Sequence, residues 1–339
     1  MADDAGEAEH AYGLLEMDDQ LIHARAVQIV AELGIADLLA DGPRSSEEIA
    51  AATSSDPDAC YRMLRMLTTR GILTETRPRT FGLTPRGGPL RSDHPYSVRH
   101  TLRLNGAVVP LVIDGAQHSL RTGEPTLPAV TGESFYEHLE REPEHAALFD
   151  AAMSELTRAM LPSLLAAYAF TGHVVDVGAG TGTLLRGILR ATPAASGTAF
   201  DTPRLTESAR EAIRRDGLED RCVFTGGDFF TEVPPGGDLY VLKWVLHNWP
   251  DEQAAAILRR CRQAMPDRAR LLVIEAVLPE PGTDAPGPAA TMDVSMLVVP
   301  GGRERTEEQY AALLADAGLR LQRVVSAGSR NSVLESRPV

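Results

Sequence analysis

Over residues 21–39 the apolar side chains Ile22, Ala26, Ile29, Val30 and Leu33 recur at steps of three and four, which predicts an amphipathic helix stopped by Gly34. Ser45-x-x-Glu48 ahead of Ile49 has the form of a capping box. Asp56-Pro57 then supplies a cap and a first-turn proline ahead of Cys60, Met63, Leu64 and Leu67, and Gly71 ends that helix. Two short β-prone runs, 72–76 and 80–83, flank Arg77-Pro78-Arg79, so the order helix, helix, helix, hairpin predicts a winged helix. From Phe135 to Ala169 the period stays helical, with Phe149, Ala152, Met153, Leu156, Met160 and Leu164 on one stripe and Pro162 predicting a break or kink near Met160.

At His173 the periodicity changes. VVDV runs into GAGTG, TLLRGILRA has a helical pattern, SGTAF reads as a second strand, and the alternation continues for another hundred residues. Further strands are expected at 222–225, 239–242 and 271–277, with helices at 204–215 and 251–265. The last two strands, 321–326 and 332–336, are joined by a tight turn at Gly328 and must be antiparallel. Such alternation predicts a parallel α/β sheet covered on both faces by helices. Pro279 to Ala290, PEPGTDAPGPAA, reads as a loop.

Composition narrows the classes. The 339 residues are 43% hydrophobic and 24% charged, enough for a sizeable core. Lys+Arg total 33 against Asp+Glu 47, and a net charge of −14 disfavours nucleic acid and anionic membrane as partners. The start MADDAGEAEHAYG has no basic region followed by an apolar one, and no run approaches a membrane span, so a cytoplasmic protein is expected. Cys60, Cys222 and Cys261 are far apart and odd in number, which indicates neither a disulfide framework nor a cysteine zinc site. No metal-ligand spacing is visible, and no metal requirement is expected.

Ligands of open α/β sheets sit at the carboxyl ends of the strands, where strand order reverses. Gly178-Ala179-Gly180-Thr181-Gly182 follows the first strand, and its glycines let backbone pass close to a ligand. Thr183 stands where a dinucleotide fingerprint needs its third glycine, and the loop has no lysine for a phosphate-binding motif, so NAD and ATP are disfavoured. Asp201, with Thr202 beside it, ends the second strand, where a carboxylate can accept both hydroxyls of a ribose. Asp228 and Phe229 after the third strand offer a carboxylate and a wall for a purine. Asp176, Asp201 and Asp228 together make an acidic crevice suited to a cationic, adenosine-containing cofactor. His247, just past the fourth strand, is a proton acceptor near neutral pH, and Glu275 ends the strand expected beside it.

DVGAGTG (176–182), FDTP (200–203), GGDFF (226–230), LKWVLHNWPDE (242–252), VIEAVLPE (273–280) and GGRERTEEQY (301–310) together resemble the ordered signature of S-adenosylmethionine-dependent small-molecule O-methyltransferases. The resemblance is to the group holding the plant caffeate and flavonoid enzymes and the bacterial enzymes that tailor aromatic polyketides and other antibiotics, and it spans nearly the whole chain. It implies a seven-stranded, Rossmann-like class I methyltransferase domain, an N-terminal helical winged-helix dimerisation domain, a homodimer and an aromatic small-molecule acceptor. It also implies His247 as general base held by Glu275 and Glu304, with cofactor contacts at Gly178, Asp201, Asp228, Phe229 and Lys243; Asp176, Gly180 and Thr202 join these from the loop reading. Asn248 departs from the aspartate common at that place in the family.

Trp244 and Trp249, and Met153 and Met292, are candidate walls of the substrate pocket, with core packing the alternative for both pairs, and Asn248 is a candidate substrate contact. The expected division is 1–100 for dimerisation, 101–170 as a helical bridge and 171–339 for catalysis. Two alternatives stay open: C-methylation or a non-methylating decarboxylation or hydroxylation in the same cofactor pocket, and a ligand-sensing transcription regulator built on the winged helix.

Overall fold

The structure is a computed structural model that describes residues 2–282 and 287–339. In chain order the first elements are α1 (Ala2–Glu32), α2 (Ile35–Leu38), β1 (Arg44–Ser45), α3 (Ser46–Thr53), α4 (Pro57–Thr68), β2 (Leu73–Arg77) and β3 (Thr80–Leu83). Helices α5 (Arg99–Ile113), α6 (Ala116–Thr122), α7 (Thr126–Thr131), α8 (Phe135–Arg141) and α9 (Pro143–Ala167) follow. Then come β4 (His173–Val177), α10 (Thr183–Ala191), β5 (Ser196–Asp201), α11 (Thr206–Arg215), β6 (Cys222–Gly226), β7 (Leu239–Lys243) and α12 (Asp251–Ala264). The chain continues with β8 (Arg270–Glu275), β9 (Val277–Leu278), α13 (Gly287–Val298), β10 (Arg305–Thr306), α14 (Glu307–Asp316), β11 (Leu319–Ser326) and β12 (Ser332–Pro338). Among the described residues no helix is long and apolar enough to cross a membrane.

Contacts divide the chain into two units, one of residues up to Pro110 with Ala147–Glu155, the other of Leu111–Ala146 with Leu156–Val339. In the first unit the expected caps are formed. Ser45 Oγ accepts from the Glu48 amide and Glu48 returns the bond to the Ser45 amide, while the Asp56 carboxylate caps α4 at the amides of Asp58 and Ala59. The hairpin β2–β3 is present, and β1 adds a third strand that sequence did not suggest, pairing Arg44 with Phe81. Ile49, Leu64, Leu67, Leu73 and Phe81 close its core. Helix α1 begins far upstream of residue 21, and Tyr12, Leu14, Leu15, Met17, Leu21 and Ile22 along it stand 60–70% exposed.

The second unit is built on a seven-stranded sheet of order β11-β12-β8-β7-β4-β5-β6, parallel except for β12, which runs antiparallel to both β8 and β11. Strands β4, β7 and β8 are buried on both faces and so read as continuous apolar runs rather than alternating ones. Helix α10 buries Leu184, Leu185, Ile188 and Leu189 on one face of the sheet together with Leu164 of α9 and Ile213 of α11. On the other face α12 and α14 bury Ile257, Leu258, Cys261, Tyr310 and Leu314. Each of these side chains gains about 1.5–3 kcal/mol from leaving water. The chain moves outward from β4 through β5 to β6 and returns to β7 on the other side, so the switch point lies at the carboxyl ends of β4 and β7.

Two local expectations are corrected. Of the break or kink expected at Pro162, the break is absent, since helix α9 continues through it; the helical tract breaks instead at Glu142, ahead of Pro143, because proline is tolerated at a helix start and restricts the residue before it. Met160 is buried in the core against the sheet. Of the expected loop 279–290, residues 283–286 lie outside the described residues, and the chain is already helical at Gly287.

Candidate active site

At the end of β4 the backbone amides of Gly178 and Ala179 both donate to the Phe200 carbonyl, 2.9 and 3.2 Å away, which folds the glycine loop across the end of β5. Gly178 has φ +74°, and a Cβ there would lie 2.6 Å from Val245 Cγ2, so both backbone conformation and space require glycine. The Asp201 carboxylate accepts from the amides of Gly180 and Thr202, each at 2.7 Å, so the loop and the end of β5 hold one another. Asp228 is exposed and caps its own turn by accepting from the Phe230 amide at 2.9 Å, leaving Phe229 half-buried beside it.

Asp176 is 1% exposed, and its Oδ2 has no hydrogen-bond partner. Burial pushes its carboxyl up to about 7, against the pull of the Lys243 ammonium and with a further push from Asp201. Burial likewise brings Lys243 down to about 8, opposed by Asp176 and Glu275. The Lys243 ammonium donates to Thr157 Oγ1 at 2.8 Å and lies 4.1 Å from the Trp244 ring centroid. An orphaned, buried carboxylate oxygen in a glycine-lined crevice is a site for a cation.

Past β7 the chain makes a strained turn. Trp244 has φ +56°, a conformation costing a non-glycine residue about 1–2 kcal/mol. It is held by its amide on the Ile274 carbonyl at 3.1 Å, by its indole on Asn331 at 2.8 Å and by Asn248 Nδ2 on its carbonyl at 3.0 Å. Trp244, expected as a pocket wall, and Asn248, expected as a substrate contact, thus both serve this turn. The Glu275 carboxylate, fully buried, accepts from the successive amides of Val245, Leu246 and His247 at 3.0, 3.0 and 3.4 Å.

These bonds place His247, 7% exposed, with Nδ1 2.7 Å from Glu304 Oε1 and 3.3 Å from Glu275 Oε2. The three residues expected to meet are therefore together, with the ring held most closely by Glu304 while Glu275 grips chiefly the backbone. The Trp244 backbone also hydrogen-bonds the ring, which favours its charged form. Burial lowers the His247 pKa below its ordinary 6.5, so the ring is neutral at pH 7. Burial raises Glu275 to about 7 and Glu304 to about 8, the latter helped by Asp293. The same three side chains offer ligand atoms within 4.8 Å of one another, a possible metal-ligand set assembled from distant sequence that spacing could not reveal.

The segment 302–305 backs this cluster. A Cβ on Gly302 would lie 1.9 Å from the His247 carbonyl oxygen, and the Arg303 amide donates to that oxygen at 2.8 Å. Trp249 stacks on Tyr136 of α8 at 5.3 Å and 10°, and meets Phe229 and Phe230 edge-on. Met292 is 37% exposed on α13, and Met153 is half-buried on α9 within the first unit. Sequence reasoning missed Tyr136, Thr157 and Arg305. Arg305 was visible inside GGRERT, whereas nothing in the helical patterns of α8 and α9 marks the other two.

A family model for the O-methyltransferase domain matches residues 116–320, and one for the O-methyltransferase dimerisation domain matches residues 16–90. The chain belongs to the O-methyltransferase family. It is an S-adenosylmethionine-dependent O-methyltransferase. It is 38% identical to a phenazine O-methyltransferase of Lysobacter antibioticus, over 96% of both chains. The crystal structure of LaPhzM superposes with a TM-score of 0.93 at 38% identity, covering 97% of this chain and 99% of that one. A methyltransferase from neocarzinostatin biosynthesis, solved with S-adenosylmethionine and 2-hydroxy-5-methyl naphthoic acid, is 37% identical with a TM-score of 0.79 over 94% and 96% of the two chains.

Gly302→Ala tests how the two segments pack. Backbone faces the added methyl group and cannot rotate aside, so the methyltransferase should lose about 1–3 kcal/mol of stability. Denaturant unfolding reads this directly, and an unchanged midpoint would mean the segments do not pack this closely.

Proposed function

We propose that the enzyme methylates a phenolic hydroxyl of an aromatic natural product in bacterial antibiotic biosynthesis, with His247 as general base. The observation that carries this is the buried His247–Glu304 contact at 2.7 Å, which holds the ring at Nδ1. The relatives that act on phenazine and bind a hydroxynaphthoate support the aromatic acceptor. Bound S-adenosylmethionine supplies a methyl group already activated by its sulfonium. Asp176 fits that cofactor, since its orphaned oxygen matches a cationic amine; Gly178 and Gly180 would give it close passage, Asp201 and Thr202 would hold the ribose, Asp228 and Phe229 the purine, and Lys243 would border the same crevice.

In this reading the chain has two tasks, to align the acceptor oxygen and to take its proton. Alignment contributes about 7–11 kcal/mol and a general base about 10²–10⁴-fold in rate, so positioning dominates. The neutral imidazole, so read, accepts at Nε2 while Glu304, in its ionised form, takes Nδ1–H and stabilises the imidazolium; because burial raises the Glu304 carboxyl to about 8, only its ionised fraction does this at neutral pH. In this reading the triad acts as a base with its orienters. Met153, Trp244, Asn248 and Met292 are proposed for the acceptor pocket. The proposed organisation is dimerisation by 1–100, a bridge over 101–170 contributing to the pocket, and catalysis by 171–339.

His247→Ala should leave cofactor affinity unchanged and lower turnover by about 10²–10⁴-fold. The defect should shrink as pH rises toward the acceptor's own pKa. For the wild type, the lowered His247 pKa means that activity falls only as pH drops below about 6.5. Full turnover of His247→Ala at neutral pH would remove the base from the mechanism.

Cofactor binding should be linked to protons. Asp176 in the free enzyme titrates at about 7, and a bound cation favours its ionised form, so binding releases a proton and affinity rises as pH increases through that value. Calorimetry in buffers of different ionisation enthalpy measures the release. Asp176→Asn should abolish it, and equal proton release by the variant would assign the linkage to another group.

The exposed apolar side chains of α1 border a groove of about 620 Å³ lined by Leu21, Ile22, Ile29, Met63 and Met66. We assign this face to a homodimer contact, consistent with the dimerisation-domain match. Gel filtration should give twice 36.5 kDa, and Leu21→Glu should shift it toward one. A wild-type monomer at micromolar concentration would refute the assignment.

A further inference from the structure

Arg305 has the largest side chain among the fully buried residues, and all five of its N–H donors are used. Nε and one terminal nitrogen donate to Asp251 Oδ1 at 2.9 and 2.8 Å, and that same nitrogen reaches the Trp249 carbonyl at 2.8 Å. The other terminal nitrogen reaches the carbonyls of Leu246 at 3.1 Å and Arg303 at 3.4 Å. Leu246 and Trp249 bracket His247, and Arg303 precedes Glu304. One planar guanidinium therefore ties together the two backbone segments whose side chains meet in the 2.7 Å His247–Glu304 bond.

We propose that Arg305 is a positioning residue for the methyl-transfer reaction, fixing His247 and Glu304 against each other through the carbonyls of Leu246, Trp249 and Arg303. The inference rests on the reading of His247 as base. Three features set Arg305 apart from a core ion pair. Its acid partner, Asp251, has a side chain 64% exposed, so the pair does not exist to neutralise a buried carboxylate. Its carbonyl acceptors all belong to the two segments that bear the base and its orienter. Its shape is needed as well, because a lysine presents three donors from a single nitrogen and cannot span carbonyls on both segments. The groups acting electrostatically on His247 are Glu275, Glu304, Lys243 and Arg305 itself, and among them the guanidinium opposes the imidazolium while drawing Glu304 toward its ionised form.

The test uses the full-length enzyme with histidine ¹⁵N-labelled, the His247 signals being those that vanish in His247→Ala. Arg305→Lys should bind S-adenosylmethionine within about twofold of wild type, while turnover of 2-hydroxy-5-methyl naphthoic acid, or whichever hydroxynaphthoic acid the wild type accepts, falls about 10²-fold, the scale of a misplacement near 1 Å. Its His247 Nδ1 and Nε2 shifts should move toward a mixture of tautomers. Arg305→Met, which removes the cation, should make His247 titrate at higher pH and move the acid limb of the rate profile the same way. A folded Arg305→Lys with wild-type turnover and unmoved ring signals overturns the proposal. So does a loss that appears equally in cofactor affinity. Should neither variant fold, Asp251→Asn decides, since it alters an exposed side chain: a few-fold loss of turnover with displaced His247 signals supports the role, and no change in either refutes it. If His247→Ala proves fully active, the base reading fails, while the ring signals still report whether Arg305 positions the imidazole.

Discussion

One imidazole is buried with a carboxylate 2.7 Å and another 3.3 Å from its Nδ1, and much of the second unit answers to that constraint. Each ion taken out of water costs several kcal/mol unless it is paired. Glu275 meets part of the cost with three successive amides from the turn after β7, Glu304 part of it with the imidazole, while the second oxygen of each lacks a hydrogen-bond partner and burial raises both carboxyls. The amides are available because the turn is tight and Trp244 adopts a left-handed conformation. Strain in the backbone and solvation of the carboxylate are thus one arrangement: relaxing Trp244 would withdraw the donors that make a charged Glu275 tolerable at the end of β8.

The sheet explains why this can happen at the switch point. β7 and β8 are parallel neighbours with Lys243 opposite Ile274, so the residues that follow each strand emerge side by side. His247 and Glu275 are separated by twenty-eight positions in sequence yet become adjacent through that register. β4 lies on the other side of β7, which puts Asp176 and the glycine loop next to the same edge. The two acidic groups on either side of β7 therefore act on one cation, Lys243, whose ammonium feels both Asp176 and Glu275.

Much of this was legible in the sequence. The capping residues Ser45 and Asp56, the change of period at His173 and the antiparallel final pair follow from local chemistry and appear in the structure. His247, Glu275 and Glu304 were named from the motif resemblance, and they converge. What local pattern could not supply was the division of labour among them. Whether a carboxylate holds a ring or a backbone depends on which amides its turn exposes, and that is set by Trp244 φ, which no side-chain pattern encodes. Asn248 is similar: its identity suggested a substrate contact, but its amide supports the Trp244 carbonyl, a bond an aspartate at that position could not donate. The length of α1 was missed for the opposite reason, since its apolar side chains face outward and give no core stripe to read.

The buried arginine completes the electrostatic logic. With two carboxylates and a neutral ring, the cluster alone would carry excess negative charge in a medium that tolerates little of it, and both carboxylates are accordingly pushed upward. Arg305 offsets part of that charge without touching the ring, because its donors end on carbonyl oxygens and on Asp251. Placing the guanidinium one layer back, on the backbone that bears both partners, favours the neutral form of the ring without occupying the oxygen that meets Nδ1.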